Sequence, residues 1–127
     1  MAKVLVVDDN VDLLRILEAA LRHSGYDVRA AVDRTQADAV ASDFRPDVLV
    51  VDWNLGDQVD GIELTQRLRA RLPELPAILI TGYPSEELRR DAASAKIWPV
   101  LTKPFEWAEL RGAIEEAMTR EAGFPPS

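Results

Sequence analysis

Three short apolar runs, each ending on a polar residue, limit what this 127-residue chain can fold into. "VLVV" at positions 4–7 precedes Asp8, the same four letters at 48–51 precede Asp52, and "AILI" at 77–80 precedes Thr81. Continuous apolar runs separated by long helical segments are typical of parallel strands that are covered on both faces. The sequence therefore predicts a parallel α/β sheet with these runs as its central strands.

Two weaker segments complete the predicted sheet at its edges. "YDVRAAV" at 26–32 alternates apolar and polar residues, and "IWPVL" at 97–101 contains Pro99, which a strand tolerates only where no backbone donor is needed. A segment of helical character follows each strand. The apolar residues with helical spacing are Leu13, Leu14, Leu17 and Leu21; Ala37, Val40 and Ala41; Ile62, Leu64, Leu68 and Leu72; and Leu110, Ile114 and Met118. "SEELRRDAASA" predicts a short, exposed helix capped by Ser85.

The strand–helix alternation predicts a single doubly wound five-stranded parallel sheet of the flavodoxin-like (βα)5 class, with strand order 2-1-3-4-5. We expect one domain over residues 1–122 and a frayed tail over 123–127, where glycine and two prolines stop the last helix. In such sheets ligands bind where the carboxyl ends of the central strands meet.

Composition narrows the function classes. The chain has no cysteine, which excludes disulfides and thiolate metal sites. Its net charge of −7 disfavours direct binding to nucleic acid. The apolar run near the start is far too short for a signal peptide or a membrane span, so we expect a cytoplasmic location and no membrane partner.

The adjacent carboxylates of Asp8 and Asp9 need an explanation, because neighbouring like charges raise each other's cost of ionisation. They could be turn residues, one of them capping the next helix. The predicted topology favours a shared site instead, because the first, third and fourth strands bring Asp8, Asp9, Asp52 and Thr81 to one crevice. Three carboxylates without histidine or cysteine form a hard-oxygen site that suits Mg²⁺.

A carboxylate beside Mg²⁺ can also attack a phosphoryl group and form an aspartyl-phosphate. That chemistry needs a cation and a hydroxyl near the phosphoryl oxygens, which Lys103 in "LTKPF" and Thr81 could supply. Alternatively, Lys103 is a solvated lysine and Thr81 an ordinary strand residue. Pro104 favours the first interpretation, because proline restricts the backbone of the residue before it.

Four motifs, "VLVVDDN", "VLVVDWNL", "LITGY" and "LTKPF", resemble the receiver domain of bacterial two-component response regulators. The resemblance implies a signalling switch rather than a conventional enzyme, phosphorylated on Asp52 and promoting its own phosphorylation and dephosphorylation. It implies that Mg²⁺, which Mn²⁺ can replace, binds to Asp9 directly, to Asp8 largely through water, to Asp52 and to the main-chain carbonyl of Asn54.

The resemblance further implies that Lys103, preceding a cis bond to Pro104, contacts the phosphoryl group and that Thr81 is the switch hydroxyl. The phosphodonor would be a phosphohistidine on a sensor kinase or a phosphotransfer protein, and the output an unidentified protein target. We expect the donor protein to dock on the first helix, at Val11, Asp12 and Arg15, and on the loop at 104–105. The alternative is that this helix face is merely solvated.

The chain departs from the family pattern in three places. The loop "WNLGDQVD" is one residue longer than usual, with Gly56 where proline is common. Val100 stands where an aromatic switch residue is usual, so that Trp98 or Tyr83 would have to take that role; Tyr83 could instead shield the phosphoryl group or pack at the start of its helix. As a third departure, we expect no output domain after the last helix.

Three other functions compete with a phosphorylated receiver. A flavodoxin-type cofactor binder needs a phosphate-cradling loop after the first strand, where Asp8-Asp9-Asn10 would repel a phosphate. A haloacid-dehalogenase-like phosphatase requires a second acidic residue two positions after the nucleophilic aspartate of its first strand. Asn10 occupies that position here. The strongest rival is a receiver-like interaction module that is never phosphorylated, and the complete set of candidate site residues argues against it.

Overall fold

Five parallel strands alternate with five helices in the computed structural model, which describes residues 2–56 and 59–119. The elements are β1 (Lys3–Val7), α1 (Val11–His23), β2 (Asp27–Ala31), α2 (Arg34–Phe44), β3 (Val48–Asp52), α3 (Gly61–Leu68), β4 (Ala77–Thr81), α4 (Glu86–Ser94), β5 (Val100–Thr102) and α5 (Trp107–Thr119). The strand order is β2-β1-β3-β4-β5, which confirms the predicted topology. The tail predicted over 123–127 lies outside the described residues.

The central strands are buried because helices cover both faces of the sheet. β3 and β4 are buried along their whole length, as is β1 from its second residue onward. Alternate strand residues point to opposite faces. On one face they pack against α1 and α5, and on the other against α2, α3 and α4. This two-sided burial accounts for the continuous apolar runs in the sequence.

Both weaker segments form edge strands, as predicted, but their limits differ. β5 begins at Val100, so Pro99 precedes the strand instead of lying within it. The Pro99 carbonyl still accepts a hydrogen bond from the Leu79 N–H at 3.1 Å, because proline lacks only the donor. The third helix likewise ends at Leu68, while Leu72 packs against the core from the turn beyond it.

Side-chain caps fix where the first four helices begin. Asn10, Asp33, Asp60 and Ser85 each accept a hydrogen bond from the backbone N–H three residues later. Ser85 is the cap that the sequence predicted. The cap of α1 is Asn10, so neither Asp8 nor Asp9 fills that role. Within residues 2–56 and 59–119, no helix combines the length and apolarity that crossing a membrane requires.

Candidate functional site

Three acidic side chains meet at the carboxyl edge of the sheet. Asp8 follows β1, Asp9 follows Asp8, and Asp52 ends β3, the parallel neighbour of β1. One carboxylate oxygen from each lies within 4.8 Å of the others, as the sequence predicted from topology. Asp8 is fully buried and Asp52 nearly so, whereas Asp9 is exposed. The cluster thus has a buried floor and one carboxylate at its mouth.

Lys103, directly after β5, reaches into this cluster. Its Nζ atom lies 3.0 Å from Oδ2 of Asp8 and 2.9 Å from Oδ2 of Asp52. Its backbone N–H donates to the Thr81 carbonyl at 2.7 Å, which holds the start of the loop against β4. From the sequence, Mg²⁺ is the cation expected beside the three carboxylates. In the structure the Lys103 ammonium already offsets the repulsion between two of the three carboxylates.

Burial and charge act in opposite directions on this ion pair. Burial raises the pKa of Asp52 above its ordinary value of 3.8, the Lys103 hydrogen bond lowers it, and the nearby Asp8 charge raises it again; the net direction is upward. Burial lowers the pKa of Lys103, but its contacts with Asp52 and Asp8 outweigh burial and raise that pKa overall. The ammonium is therefore held in its charged form, and the Asp52 carboxylate is more basic than an exposed one.

The same local turn follows all three central strands. Oδ1 of Asp8 accepts from the Asn10 N–H at 2.8 Å, and Oδ1 of Asp52 accepts from the Asn54 N–H at 3.3 Å. The hydroxyl oxygen of Thr81 accepts from the Tyr83 N–H at 3.0 Å. Each side chain thereby turns its own backbone away from the sheet. In both aspartates the other oxygen faces Lys103.

An open cavity of about 260 Å³ lies over the cluster. Its walls include Asp9, Asp52, Asn54, Thr81, Tyr83 and Lys103, so the ends of four strands, β1, β3, β4 and β5, border one space. The Tyr83 side chain is 87% exposed, which excludes the alternative that its ring packs at the start of α4. Val100 is buried, and Trp53 packs against the core beside Asp52.

Two glycines shape the loop between β3 and α3. Gly56 has φ +92°, a left-handed conformation that the proline ring cannot adopt, which explains why the usual residue is missing here. A Cβ atom on Gly61 would lie 2.4 Å from the Asp52 carbonyl oxygen, so α3 can begin here only with glycine. Residues 57 and 58 lie outside the described part of the chain.

A second, larger cavity of about 410 Å³ lies beside the site, between α1 and the segment after β5. Leu13, Ile16 and Phe105 line it, and Asn10 and Lys103 connect it with the acidic cluster. Ile16 is 64% exposed and Val11 is 46% exposed. Val11 is one of the predicted docking residues, whereas Ile16 is not, because its place among apolar residues of α1 predicts burial.

The sequence matches a known family over most of its length. The family model of the response regulator receiver domain covers residues 4–115. The virulence transcriptional regulatory protein PhoP of Salmonella typhimurium is 33% identical over 124 residues, 98% of this chain and 55% of that protein. The transcriptional regulatory protein PrrA of Mycobacterium tuberculosis is 36% identical over 125 residues, 98% of this chain and 53% of that protein. The chain thus spans about half the length of these curated relatives.

Solved structures agree with this assignment. The chemotaxis protein CheY4 of Vibrio cholerae superposes with a TM-score of 0.86 at 28% identity, over 92% of this chain and 98% of that one. A CheY-like receiver domain protein from Methanospirillum hungatei also gives 0.86, at 25% identity and 94% coverage of each chain. The acidic cluster at the strand ends fits the metal binding of such domains. The chain therefore belongs to the response regulator receiver domains, the signalling modules of two-component systems.

Proposed function

We propose that the domain, residues 1–122, is a phosphoacceptor switch in which Asp52 receives the phosphoryl group. The observation that carries the proposal is the position of Lys103, whose Nζ lies 2.9 Å from Asp52 at the convergence of three carboxylates. A cation beside a buried carboxylate that opens onto a cavity can stabilise phosphoryl oxygens as they arrive.

The donor set favours Mg²⁺ as the cofactor. Asp8, Asp9 and Asp52 offer only hard oxygen ligands within 4.8 Å of one another, a set that Mn²⁺ also accepts. Asp9, exposed at the mouth, would bind the ion directly. Asp8 is already bonded to Lys103 and the Asn10 N–H, which favours contact through water. The main-chain carbonyl of Asn54 is our candidate for a further ligand.

In the proposed reaction an oxygen of Asp52 attacks the phosphorus of a phosphohistidine. The new P–O bond forms as the P–N bond breaks, and the electron pair leaves with the imidazole nitrogen. Bound Mg²⁺ would supply positive charge to the phosphoryl oxygens. The Lys103 ammonium would pass from the carboxylate pair to a phosphoryl oxygen. Later attack of water on phosphorus would restore the Asp52 carboxylate and release phosphate.

Thr81 is the proposed switch hydroxyl. It is almost fully buried, and its oxygen accepts the hydrogen bond of the Tyr83 N–H. Donation of the Thr81 hydroxyl to a phosphoryl oxygen would change the geometry at Tyr83, the residue that leads into α4. The new surface would be read by a downstream protein. The net charge of −7 disfavours direct readout by nucleic acid.

The proposed donor is a sensor histidine kinase or a histidine phosphotransfer protein. In-line transfer requires the donor imidazole within bonding reach of Asp52, so the surface next to the site must make contact. The cavity beside α1 adjoins the site through Lys103, which lines both cavities, and Ile16 is exposed in its wall. Val11, at the start of α1, is exposed as well. This surface suits an apolar contact with the donor protein.

Binding of beryllofluoride, a phosphoryl mimic, separates this function from that of a non-phosphorylated interaction module. Trp53, next to Asp52 and lining the site cavity, provides a fluorescence signal. We expect a saturable change that requires both Mg²⁺ and beryllofluoride and disappears in Asp52→Ala. Asp43→Ala, which removes an exposed aspartate from α2, should respond like the parent. A parent that gives no response to the mimic would favour the interaction module.

A further inference from the structure

The two ends of α4 differ in how much of the chain around them is buried. Residues 82–87, which form the loop before α4 and its first two residues, are all exposed. The first buried side chain of the helix is Leu88. At the other end, Ala92 and Ile97 are fully buried. The site connects to the loosely held end, through the hydrogen bond from the Tyr83 N–H to Thr81.

A complete backbone motif closes the C-terminal end of α4. Lys96 has a left-handed φ of 57°, its N–H donates to the Ala93 carbonyl at 2.9 Å, and the Ile97 N–H donates to the Ala92 carbonyl at 2.8 Å. These two bonds form a Schellman motif, here with Ile97 packed into the core. The motif satisfies the carbonyls of Ala92 and Ala93 but not those of Ala95 and Lys96.

The guanidinium of Arg69, the residue after α3, donates hydrogen bonds to the carbonyls of Ala95 and Lys96. Nη1 donates to the Ala95 carbonyl at 2.5 Å and Nη2 donates to the Lys96 carbonyl at 2.9 Å. Nε donates to the Leu75 carbonyl at 2.9 Å, in the loop before β4. A cation at a helix C-terminus also interacts favourably with the helix dipole. One side chain therefore ties α3, the loop before β4 and the end of α4 together.

Only arginine can make this contact set. Its planar fork offers several N–H groups in fixed directions, whereas a lysine ammonium is a single point donor. Burial lowers the pKa of Arg69, yet a guanidinium stays charged under ordinary conditions. Arg69 follows α3, whose first residue packs on the Asp52 carbonyl, so it lies at the edge of the sheet opposite the acidic cluster. The acceptors of its side chain, at Leu75, Ala95 and Lys96, include none of the site residues.

We propose that Arg69 is a positioning residue that pins the C-terminal end of α4, so that a signal leaving Thr81 rotates the N-terminal half of the helix about that fixed end. The fixed C-terminal end of α4 follows from the hydrogen bonds of Arg69 in this structure. We call this anchoring of the end of α4 by Arg69 the pin. The rotation rests on the proposed function, because it needs an event at Asp52 to start it.

Amide hydrogen exchange in the metal-free protein tests the pin. In Arg69→Lys and Arg69→Gln, the amides of Lys96 and Ile97 should exchange about tenfold faster or more than in the parent, because local opening no longer breaks the guanidinium bonds. Arg67→Lys is the matched control, since Arg67 lies in the last turn of α3, just before Arg69, and its ion-pair partner is Asp38 on α2. Equal rates in the Arg69 and Arg67 variants would overturn the proposal. If Arg69→Gln does not fold, the Lys variant decides.

Amide chemical shifts in the presence of beryllofluoride and Mg²⁺ test the rotation. A residue that only stabilises the fold would not change how these shift changes are distributed along α4. In the parent, amide chemical-shift changes should be largest from Tyr83 to Leu88 and fade before Ala95. In Arg69→Lys they should extend to Ala95 and Ile97. Equal changes along the whole helix in the parent would contradict a fixed end. A parent without any shift change would contradict both the rotation and the proposed function, while the exchange experiment still judges the pin.

Discussion

Lys103 forms ion pairs with two of the three carboxylates of the site. Its ammonium contacts Asp8 and Asp52, both buried, and leaves Asp9 at the solvent-facing mouth. An incoming cation therefore meets two carboxylates whose charge is partly compensated and one that is exposed. Direct coordination by Asp9 should accordingly dominate the affinity for the metal ion.

Replacing Asp9 by alanine should weaken Mg²⁺ binding by about 10- to 100-fold, because a direct charged ligand is lost while Asp8 and Asp52 keep their bonds to Lys103. A titration followed by Trp53 fluorescence measures the dissociation constant. The control is Asp12→Ala, which removes an exposed acid on α1 outside the cluster. Parent-like affinity in Asp9→Ala would show that the ligand assignment is wrong.

Replacing Asp52 by asparagine should stabilise the metal-free protein at neutral pH. The folded protein holds the proton of Asp52 more tightly than the unfolded chain does, since burial raises that pKa above 3.8. Ionised Asp52 therefore lowers the free energy of unfolding at neutral pH. This destabilisation becomes smaller as the pH falls from the raised pKa of the folded state towards 3.8, because Asp52 is then protonated in the folded protein. The advantage of the variant should shrink over that same pH window.

Denaturant unfolding in the presence of a chelator, repeated at several pH values, measures this effect. Asp43→Asn, at an exposed position on α2, should show no comparable dependence on pH. An Asp52→Asn protein that is less stable than the parent at neutral pH would mean that pairing with Lys103 outweighs the burial of the carboxylate.

Among the elements, α1 borders both the acidic cluster and the proposed docking surface. Its cap, Asn10, donates its N–H to Asp8, and the same residue lines the cavity that exposes Ile16. One helix therefore presents an apolar surface within reach of the acidic cluster. The charged residues Asp12 and Arg15 border this surface and are exposed.

Ile16→Glu should slow phosphotransfer from a protein donor by about tenfold or more, because a charge replaces an apolar contact in the docking surface. Phosphorylation by a small-molecule donor should be unchanged, since Asp52 and Lys103 are untouched. Arg15→Glu should act in the same direction. Ala39→Glu, on the opposite face of the sheet, is the control. Equal slowing with both donors would indicate damage to the site instead of loss of docking.

At the scale of the whole molecule, the central part of the fold could be predicted from sequence because its signal is local and unambiguous. A run such as "VLVV" is apolar at every position only when both faces of a strand are buried. The sequence predicts the edge strands less accurately, because β5 begins at Val100 and Pro99 precedes it. Strand ends depend on which backbone groups find partners, and the sequence of one segment does not contain that information.

The site was predictable as far as topology decides it. The strand order alone brings Asp8, Asp52 and Thr81 to one edge. The bridging position of Lys103 depends on a loop that follows a different strand, 51 residues from Asp52 in the chain. Arg69 left no sequence signal, because its acceptors are backbone carbonyls 26 and 27 residues away. Contacts of that kind follow from three-dimensional packing instead of residue pattern.

Mass spectrometry of the intact protein tests whether Asp52 is the phosphoacceptor. With a small-molecule phosphodonor and Mg²⁺, the parent should gain one phosphoryl group, and chelation of Mg²⁺ should sharply reduce that gain. Asp52→Ala should gain none, whereas Asp43→Ala should be labelled like the parent. Undiminished labelling of Asp52→Ala would show that another residue accepts the phosphoryl group.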